Sequence, residues 1–122
     1  MRRSILCLLA TAASCAFAQT APTSFPEGAT PLTAEDLGKA LTDKVFHVQP
    51  ASGAAWRVQY NANGYWFINA GSFADSGKWS VKDSTVCGEG RQIKAACNEI
   101  RTKDGTLYLK RESGEVVKFE PR

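Results

Sequence analysis

The sequence predicts a mainly β domain: an antiparallel meander of about seven or eight short strands, curled or barrel-like, with one short N-terminal helix at about residues 33–42. Two observations support this fold class. From Lys44 onward, apolar and polar side chains alternate with the period that is typical of half-buried strands. Turn signals containing Gly, Asn or Asp recur at intervals of about 8–12 residues, and no helical pattern separates the strands, which argues against a parallel sheet.

The predicted helix precedes all of these strands. Thr33 is a suitable N-cap, and Glu35 and Asp36 place negative charge in the first turn, where it interacts favourably with the helix dipole. Leu37 and Leu41 form a narrow apolar stripe on one side. Because so short a helix is marginal alone, we expect it to pack against the sheet.

The aromatic stretch from Trp56 to Val81 is the centre of the predicted sheet. It contains all three tryptophans and two of the three tyrosines of the chain. The turn signals Asn63-Gly64 and Ser76-Gly77 divide it into three short strands. The predicted strands of the domain are Lys44–Gln49, Ala55–Asn61, a strand through Tyr65-Trp66-Phe67, Gly77–Lys82, Thr85–Cys87, Ala96–Lys103, Thr106–Arg111 and Glu115–Phe119.

The first of these turns decides which aromatic side chains share a face. A three-residue loop, Ala62-Asn63-Gly64, with a left-handed bulge at the glycine, places Tyr60 opposite Trp66. A two-residue Asn63-Gly64 turn shifts the register by one residue and exchanges the two faces of the second strand. We favour the bulge because it collects the apolar side chains on one face. The inner face then holds Trp56, Val58, Tyr60, Trp66 and Ile68, and the outer face holds Arg57, Gln59, Tyr65, Phe67 and Asn69.

The first residues have the pattern of a secretory signal peptide. A short positive region precedes an apolar run, and Ala16-Phe17-Ala18 is a small-x-small cleavage site. Cys15 follows a lipobox-like Ala-Ser pair, so a lipid anchor at this cysteine stays an alternative. The predicted organisation is a signal peptide at 1–18, a flexible tether at 19–31 and a single β-rich domain at 32–122. These features predict a periplasmic or secreted protein without a membrane span.

Charge and cysteine content narrow the class of protein. Loss of Arg2 and Arg3 with the signal peptide lowers the formal net charge from +3 to +1, and charges of both signs are interspersed in the remainder. Because no basic run or stripe is present, the sequence predicts no nucleic-acid partner. Ordinary cleavage leaves Cys87 and Cys97, which we expect to form a disulfide in an oxidising compartment.

The sequence shows no pattern of a catalytic, metal or cofactor site. His47 is the only histidine, so a metal or nucleophile site built on it would lack partners. Asp75, Asp83 and Asp104 stand where turn chemistry explains them. Ser52 lacks the Gly-x-Ser-x-Gly pattern of a nucleophile elbow, and no glycine-rich loop joins a strand to a helix. We therefore expect a non-catalytic protein without a metal or cofactor.

The outer face of the aromatic stretch is the predicted binding surface. Tyr65 and Phe67 project from it beside Arg57 and Gln59, a combination that is typical of ligand- or partner-binding surfaces. The inner face, which carries the tryptophans, is predicted to be core. We expect an exported, non-catalytic binding domain whose partner is an unidentified small ligand or periplasmic protein.

Several motifs follow one another from residue 32 to about residue 119. Leu32-Thr33 and Leu37 belong to the helix, and Gly77-Lys78-Trp79-Ser80-Val81 precedes the cysteine pair Cys87 and Cys97. These motifs resemble a loosely defined group of small exported proteobacterial proteins of unknown function, whose members pair a Leu-Thr helix with a Gly-x-Trp-x-Val … Cys … Cys β-meander. The resemblance implies an architecture and a compartment, and it supplies no catalytic residues.

A weaker similarity concerns the loop Ala51-Ser52-Gly53 and the aromatic run Tyr65-Trp66-Phe67. Both are similar to the Ser-Gly loop and aromatic pair of periplasmic lysozyme inhibitors of the small β-barrel type, in which that loop enters the lysozyme cleft. The Lys-Gly-Asp-Glu-Ala segment of the family is replaced here by Asn69-Ala70-Gly71-Ser72. The similarity implies an alternative function, inhibition of a cell-wall hydrolase through residues 51–53, and adds Ser52 to the candidate binding residues.

Overall fold

The computed structural model describes residues 20–122. The predicted signal peptide at 1–18, with Cys15 and its alternative lipid anchor, lies outside the described residues. The elements are β1 (Thr30–Pro31), α1 (Ala34–Leu41), β2 (Lys44–Val48), β3 (Trp56–Tyr60), β4 (Tyr65–Ala70), β5 (Phe73–Lys82), β6 (Thr85–Gly90), β7 (Ala96–Lys103), β8 (Thr106–Lys110) and β9 (Val116–Pro121).

Strands β2 to β9 form a closed antiparallel barrel. Each strand pairs with the next one along the chain, and β9 returns to β2, where Phe46 faces Pro121 and His47 faces Glu120. Closure pairs the backbone groups that the outermost strands of an open sheet would leave exposed. The prediction of a mainly β, barrel-like meander with one short N-terminal helix is confirmed.

The β3–β4 turn has the predicted bulge register. Tyr60 lies directly opposite Trp66 in the ladder. Asn61 donates its backbone N–H to the carbonyl oxygen of Tyr65 at 2.9 Å, which closes the three-residue loop. Gly64 has a φ of +92°, a left-handed conformation that glycine adopts without steric cost. The apolar side chains of both strands consequently point into the barrel.

The predicted turn at Ser76-Gly77 is wrong. β5 runs through both residues without interruption, and the chain turns earlier, at Gly71-Ser72. Gly77 is required for a different reason, because a Cβ atom at this position would lie 1.6 Å from the carbonyl oxygen of Glu89 on β6. The missing side chain lets two strands approach closely instead of turning the chain.

Helix α1 packs against β2 and β5 at one end of the barrel. The backbone N–H of Asp36 donates to Thr33 Oγ1 at 3.1 Å, so the predicted N-cap is confirmed. Leu37 and Leu41 are completely buried and belong to the hydrophobic core. Their burial fixes a helix that would not be stable by itself. No helix among residues 20–122 is long and apolar enough to cross a membrane.

The segment that precedes the helix runs along the barrel wall. The backbone N–H of Val116 donates to the carbonyl oxygen of Pro22 at 2.7 Å, and β1 pairs with β7. The guanidinium of Arg101 lies 4.7 Å from the ring centroid of Phe25. The sequence predicted a flexible tether at 19–31 and gave no sign of these contacts. The partners are strands β7 and β9, which lie far away along the chain.

The disulfide joins β6 to β7 on the barrel wall. Cys87 and Cys97 lie directly opposite each other in the ladder, and their sulfur atoms are bonded. The predicted pairing is confirmed. It links two strands that are adjacent in sequence, so it constrains the β6–β7 loop.

Candidate ligand cavity

The barrel contains a cavity that opens at the end opposite helix α1. Its volume is about 650 Å³. The segments at this end are the β2–β3, β4–β5, β6–β7 and β8–β9 connections. Part of the wall is formed by apolar and aromatic side chains that the sequence assigned to the inner face, with Phe119 of β9 beside them. The predicted inner-face side chains are Trp56, Val58, Tyr60, Trp66 and Ile68.

Tyr60 lies at the inner end of the cavity. The residue is only 7% exposed, and its ring makes an edge-on contact with the ring of Trp79 at a centroid distance of 5.1 Å. Burial raises the pKa of its hydroxyl, so the phenol is protonated at every ordinary pH. Among residues 20–122, no hydrogen bond to this hydroxyl is found. The residue that carries this protonated, buried donor therefore lines the inner part of the cavity.

Trp66 forms a rigid part of the wall. Its indole Nε1 donates to the carbonyl oxygen of Lys78 at 2.9 Å, which fixes the orientation of the ring. On the neighbouring wall, a Cβ atom on Gly88 would lie 3.0 Å from the same Nε1. Gly88 belongs to β6, which extends to Gly90, whereas the strand predicted from the sequence ended at Cys87. That predicted end is wrong, because Gly88 makes room for an indole ring and does not interrupt the strand.

A charged network lies at one side of the aromatic mouth of the cavity. The guanidinium of Arg111 lies over the ring of Trp56 and donates to Glu115 Oε1 at 2.7 Å. Glu115 Oε2 accepts a hydrogen bond from the backbone N–H of Ala51 at 2.7 Å. The hydrogen bond from Ala51 lowers the pKa of Glu115, and Arg111 lowers it further against the opposing effect of burial. The network thereby joins the β2–β3 loop to the β8–β9 turn.

Asp75 holds the β6–β7 loop at the opposite side of the mouth. Its carboxylate accepts backbone N–H groups of Arg91, Gln92 and Ile93 at 2.8–3.0 Å, and also that of Ser76. Burial acts to raise the pKa of Asp75, but the four hydrogen bonds together lower it to about 2. Because Ile93 lines the cavity, this carboxylate sets the position of part of the cavity wall. The sequence explained Asp75 by turn chemistry, whereas the residue lies within β5.

The predicted binding residues occupy two separate places. Tyr65 and Phe67 are 44% and 41% exposed on the outer wall of the barrel. Arg57 and Gln59 lie on the adjacent strand β3, with Gln59 directly opposite Phe67. Ser52 lies in the exposed β2–β3 loop at the open end. Binding by either group stays a prediction, and none of these five residues lines the cavity.

Sequence reasoning identified the inner face but missed the cavity within it. It also missed Lys94, Asn98 and Arg111, which line the wall or mouth. One signal was present in the sequence: small residues such as Gly88 and Ala96 stand at inward positions where the barrel would otherwise be filled. No local pattern marked Lys94, Asn98 and Arg111 as cavity residues, because they lie far along the chain from the aromatic strands whose cavity they line.

No cluster of three or more potential metal ligands occurs within residues 20–122. His47 is exposed and faces Arg57 and Glu120 in the neighbouring strands. No family model, no curated protein and no solved structure matches the chain. The short helix, the β-barrel and the Cys87–Cys97 disulfide agree with the architecture that the resemblance to small exported proteins implies. Membership of that group stays a prediction.

Proposed function

We propose that this protein is an exported, non-catalytic domain that binds a small, mainly apolar molecule inside its barrel. The observation that carries the proposal is the aromatic cavity of about 650 Å³. This volume lies within the range of about 300–1,000 Å³ that is usual for small-molecule sites. An eight-stranded barrel is wide enough to hold one small ligand when its interior is not filled by side chains.

Export to the periplasm or the extracellular space belongs to the same proposal. The Cys87–Cys97 bond supports an oxidising compartment, where structural disulfides persist. The signal-peptide pattern at 1–18 supports it independently. Quantitative comparison of periplasmic and culture fractions would test the location, and retention of the full-length chain in the cytoplasm would contradict it.

Titration with N-phenylnaphthylamine tests the cavity directly. This uncharged dye becomes fluorescent in apolar surroundings, and we expect saturable binding together with quenching of the cavity tryptophans. Ala96 lines the cavity, so Ala96→Phe should fill part of it and weaken binding by about tenfold or more. Ala62→Phe is the matched control, because Ala62 is exposed in the β3–β4 turn at the other end of the barrel. Absence of saturable binding to the folded wild type would refute the proposal.

The outer aromatic surface, formed by Arg57, Gln59, Tyr65 and Phe67, is proposed as a separate partner surface. Its two aromatic rings are exposed on the wall and point away from the cavity. The double substitution Tyr65→Ser with Phe67→Ser should consequently leave dye binding unchanged while weakening capture of a partner. If the double variant lost dye binding as well as partner capture, the dye would bind at the outer wall and not in the cavity.

Inhibition of a cell-wall hydrolase is the second candidate function. Residues 51–55 are all exposed, and the hydrogen bond from Ala51 to Glu115 anchors the start of this loop. An exposed loop that is held at one end is suited to insertion into a cleft. A panel of lysozymes should be inhibited by the wild type and by Ser72→Arg in the neighbouring turn, but not by Ser52→Arg. Full lysozyme activity in the presence of the wild type would exclude this candidate.

A further inference from the structure

The hydroxyl of Tyr60 identifies a chemical feature of the ligand, on the condition that the proposed ligand-binding function holds. Tyr60 is 93% buried, as follows from its 7% exposure, and it lines the cavity. A buried donor without a partner has lost its hydrogen bonds to water and gained none in return. Such groups are therefore expected to find a partner in a ligand or in an ordered water molecule.

The neighbouring polar groups are already engaged. Trp79 Nε1 donates to the carbonyl oxygen of Asn61 at 2.9 Å, and Trp66 Nε1 donates to that of Lys78 at the same distance. Further along the wall, Asn98 Nδ2 donates to the carbonyl oxygen of Lys110 at 3.1 Å. Within the described chain, these bonds leave the Tyr60 hydroxyl as a donor with no acceptor of its own.

The rest of the wall favours a flat apolar body. Trp56 and Trp66 contribute two indole rings, and Phe119 contributes a third aromatic surface. Aromatic walls pack well against an aromatic ligand, through offset-stacked and edge-to-face contacts. The mouth, by contrast, carries the charged network of Arg111 and Glu115. Apolar and hydrogen-bonding features are thus found deep in the cavity, and charges are found at its opening.

We propose that the cavity binds a small aromatic compound carrying a hydrogen-bond acceptor, such as a carbonyl oxygen, that accepts from Tyr60 at the inner end. The protonated phenol donates, and the aromatic body of the ligand contacts the rings of the wall. Tyr60 is then a specificity residue, because it distinguishes an aromatic carbonyl compound from a hydrocarbon of the same shape.

A double-mutant cycle tests this assignment. Affinities for acetylnaphthalene and for ethylnaphthalene, substituted at the same ring position, are measured with the wild type and with Tyr60→Phe. The two probes differ in one carbonyl group, and the two proteins differ in one hydroxyl. Dividing the ketone-to-hydrocarbon affinity ratio of the wild type by that of Tyr60→Phe therefore isolates the interaction between these two groups. We expect Tyr60→Phe to reduce the preference for the ketone by about three- to tenfold. Tyr65→Phe, which removes an exposed hydroxyl, should leave that preference unchanged.

The outcomes separate this inference from the function on which it rests. If both naphthalenes bind and the ketone preference is the same in the wild type and in Tyr60→Phe, the assignment of Tyr60 is wrong while ligand binding stands. If neither probe binds the folded wild type, the cavity proposal and this inference both fail. Near-ultraviolet circular dichroism of Tyr60→Phe checks that the aromatic core is unchanged, so a loss of preference is not a loss of fold.

Discussion

The guanidinium of Arg111 lies 4.7 Å from the ring centroid of Trp56. It also donates to Glu115, whose other carboxylate oxygen holds the Ala51 amide. Two side chains, Arg111 and Glu115, therefore connect the aromatic wall of the cavity to the exposed β2–β3 loop. The residues meet because β9 pairs with β2, which brings the last hairpin beside the first strands. The cavity mouth and the candidate inhibitory loop are consequently joined by one network of contacts.

Replacing Arg111 by Met should lower the free energy of unfolding by about 1–2 kcal/mol. The change removes the cation–π contact and leaves the buried carboxylate of Glu115 without its ionic partner. Urea denaturation at neutral pH measures the loss. Lys118→Met is the control, because it breaks a solvent-exposed pair with Glu120 and should cost less than about 1 kcal/mol. Equal losses in the two variants would show that the mouth network contributes no more than a surface pair.

Stability should fall in acid through Asp75. Its folded-state pKa is about 2, below the ordinary value, so the stabilisation is complete above the unfolded pKa and disappears as the pH falls through the folded pKa. The difference in urea midpoint between wild type and Asp75→Asn should therefore shrink as the pH is lowered from about 5 to about 2. Hydrogen exchange at Arg91, Gln92 and Ile93 should be faster in Asp75→Asn at neutral pH.

Asp104→Asn is the matched control for this acid effect. Asp104 is exposed in the β7–β8 turn at a φ of +53°, which asparagine also tolerates. We expect this variant to follow the wild-type pH profile. A profile of Asp75→Asn parallel to that of the wild type would mean that another carboxylate controls the acid transition.

Removal of the disulfide should destabilise the barrel. The double variant Cys87→Ser with Cys97→Ser is expected to lose about 2–3 kcal/mol, because the unfolded chain regains the freedom of the loop between the two cysteines. Thermal melting with and without reductant checks this value. Reduced wild type and the double variant should melt together, and an unchanged melting temperature in the double variant would show that the bond is not a structural staple.

Gly77→Ala should be among the most damaging small substitutions. The added Cβ would lie 1.6 Å from a backbone carbonyl oxygen of β6, so the two strands would have to separate. We expect a loss of about 3 kcal/mol or more, or failure to fold, measured by urea denaturation and soluble yield. Gly53→Ala is the control: its φ of +93° is unfavourable for alanine, but no atom of residues 20–122 lies within 4 Å of the added Cβ, so the expected cost is about 1–2 kcal/mol. A smaller loss at Gly77 than at Gly53 would contradict the argument.

Local patterns predicted most of the strands and favoured the observed register of the β3–β4 hairpin. The bulge at Gly64 was predictable because loop length and glycine position limit the hairpin to two alternatives, which differ in the face they bury. The same reasoning predicted a turn at Ser76-Gly77 that the structure does not have. A Ser-Gly pair is equally compatible with a turn and with a strand in which a neighbouring backbone approaches closely, and only the position of Glu89 distinguishes them.

The amino-acid sequence was sufficient for the fold class and the pairing of Cys87 with Cys97, and it favoured the observed β3–β4 register over its one-residue shift, because period, turn chemistry and residue counts are local or compositional properties. Closure of β9 onto β2, the cavity and the mouth network were decided by the tertiary structure alone. Whether inward-facing side chains fill a barrel depends on their combined volume across all of its strands. Likewise, that no residue among 20–122 accepts a hydrogen bond from Tyr60 can be recognised only once the surrounding side chains have been placed.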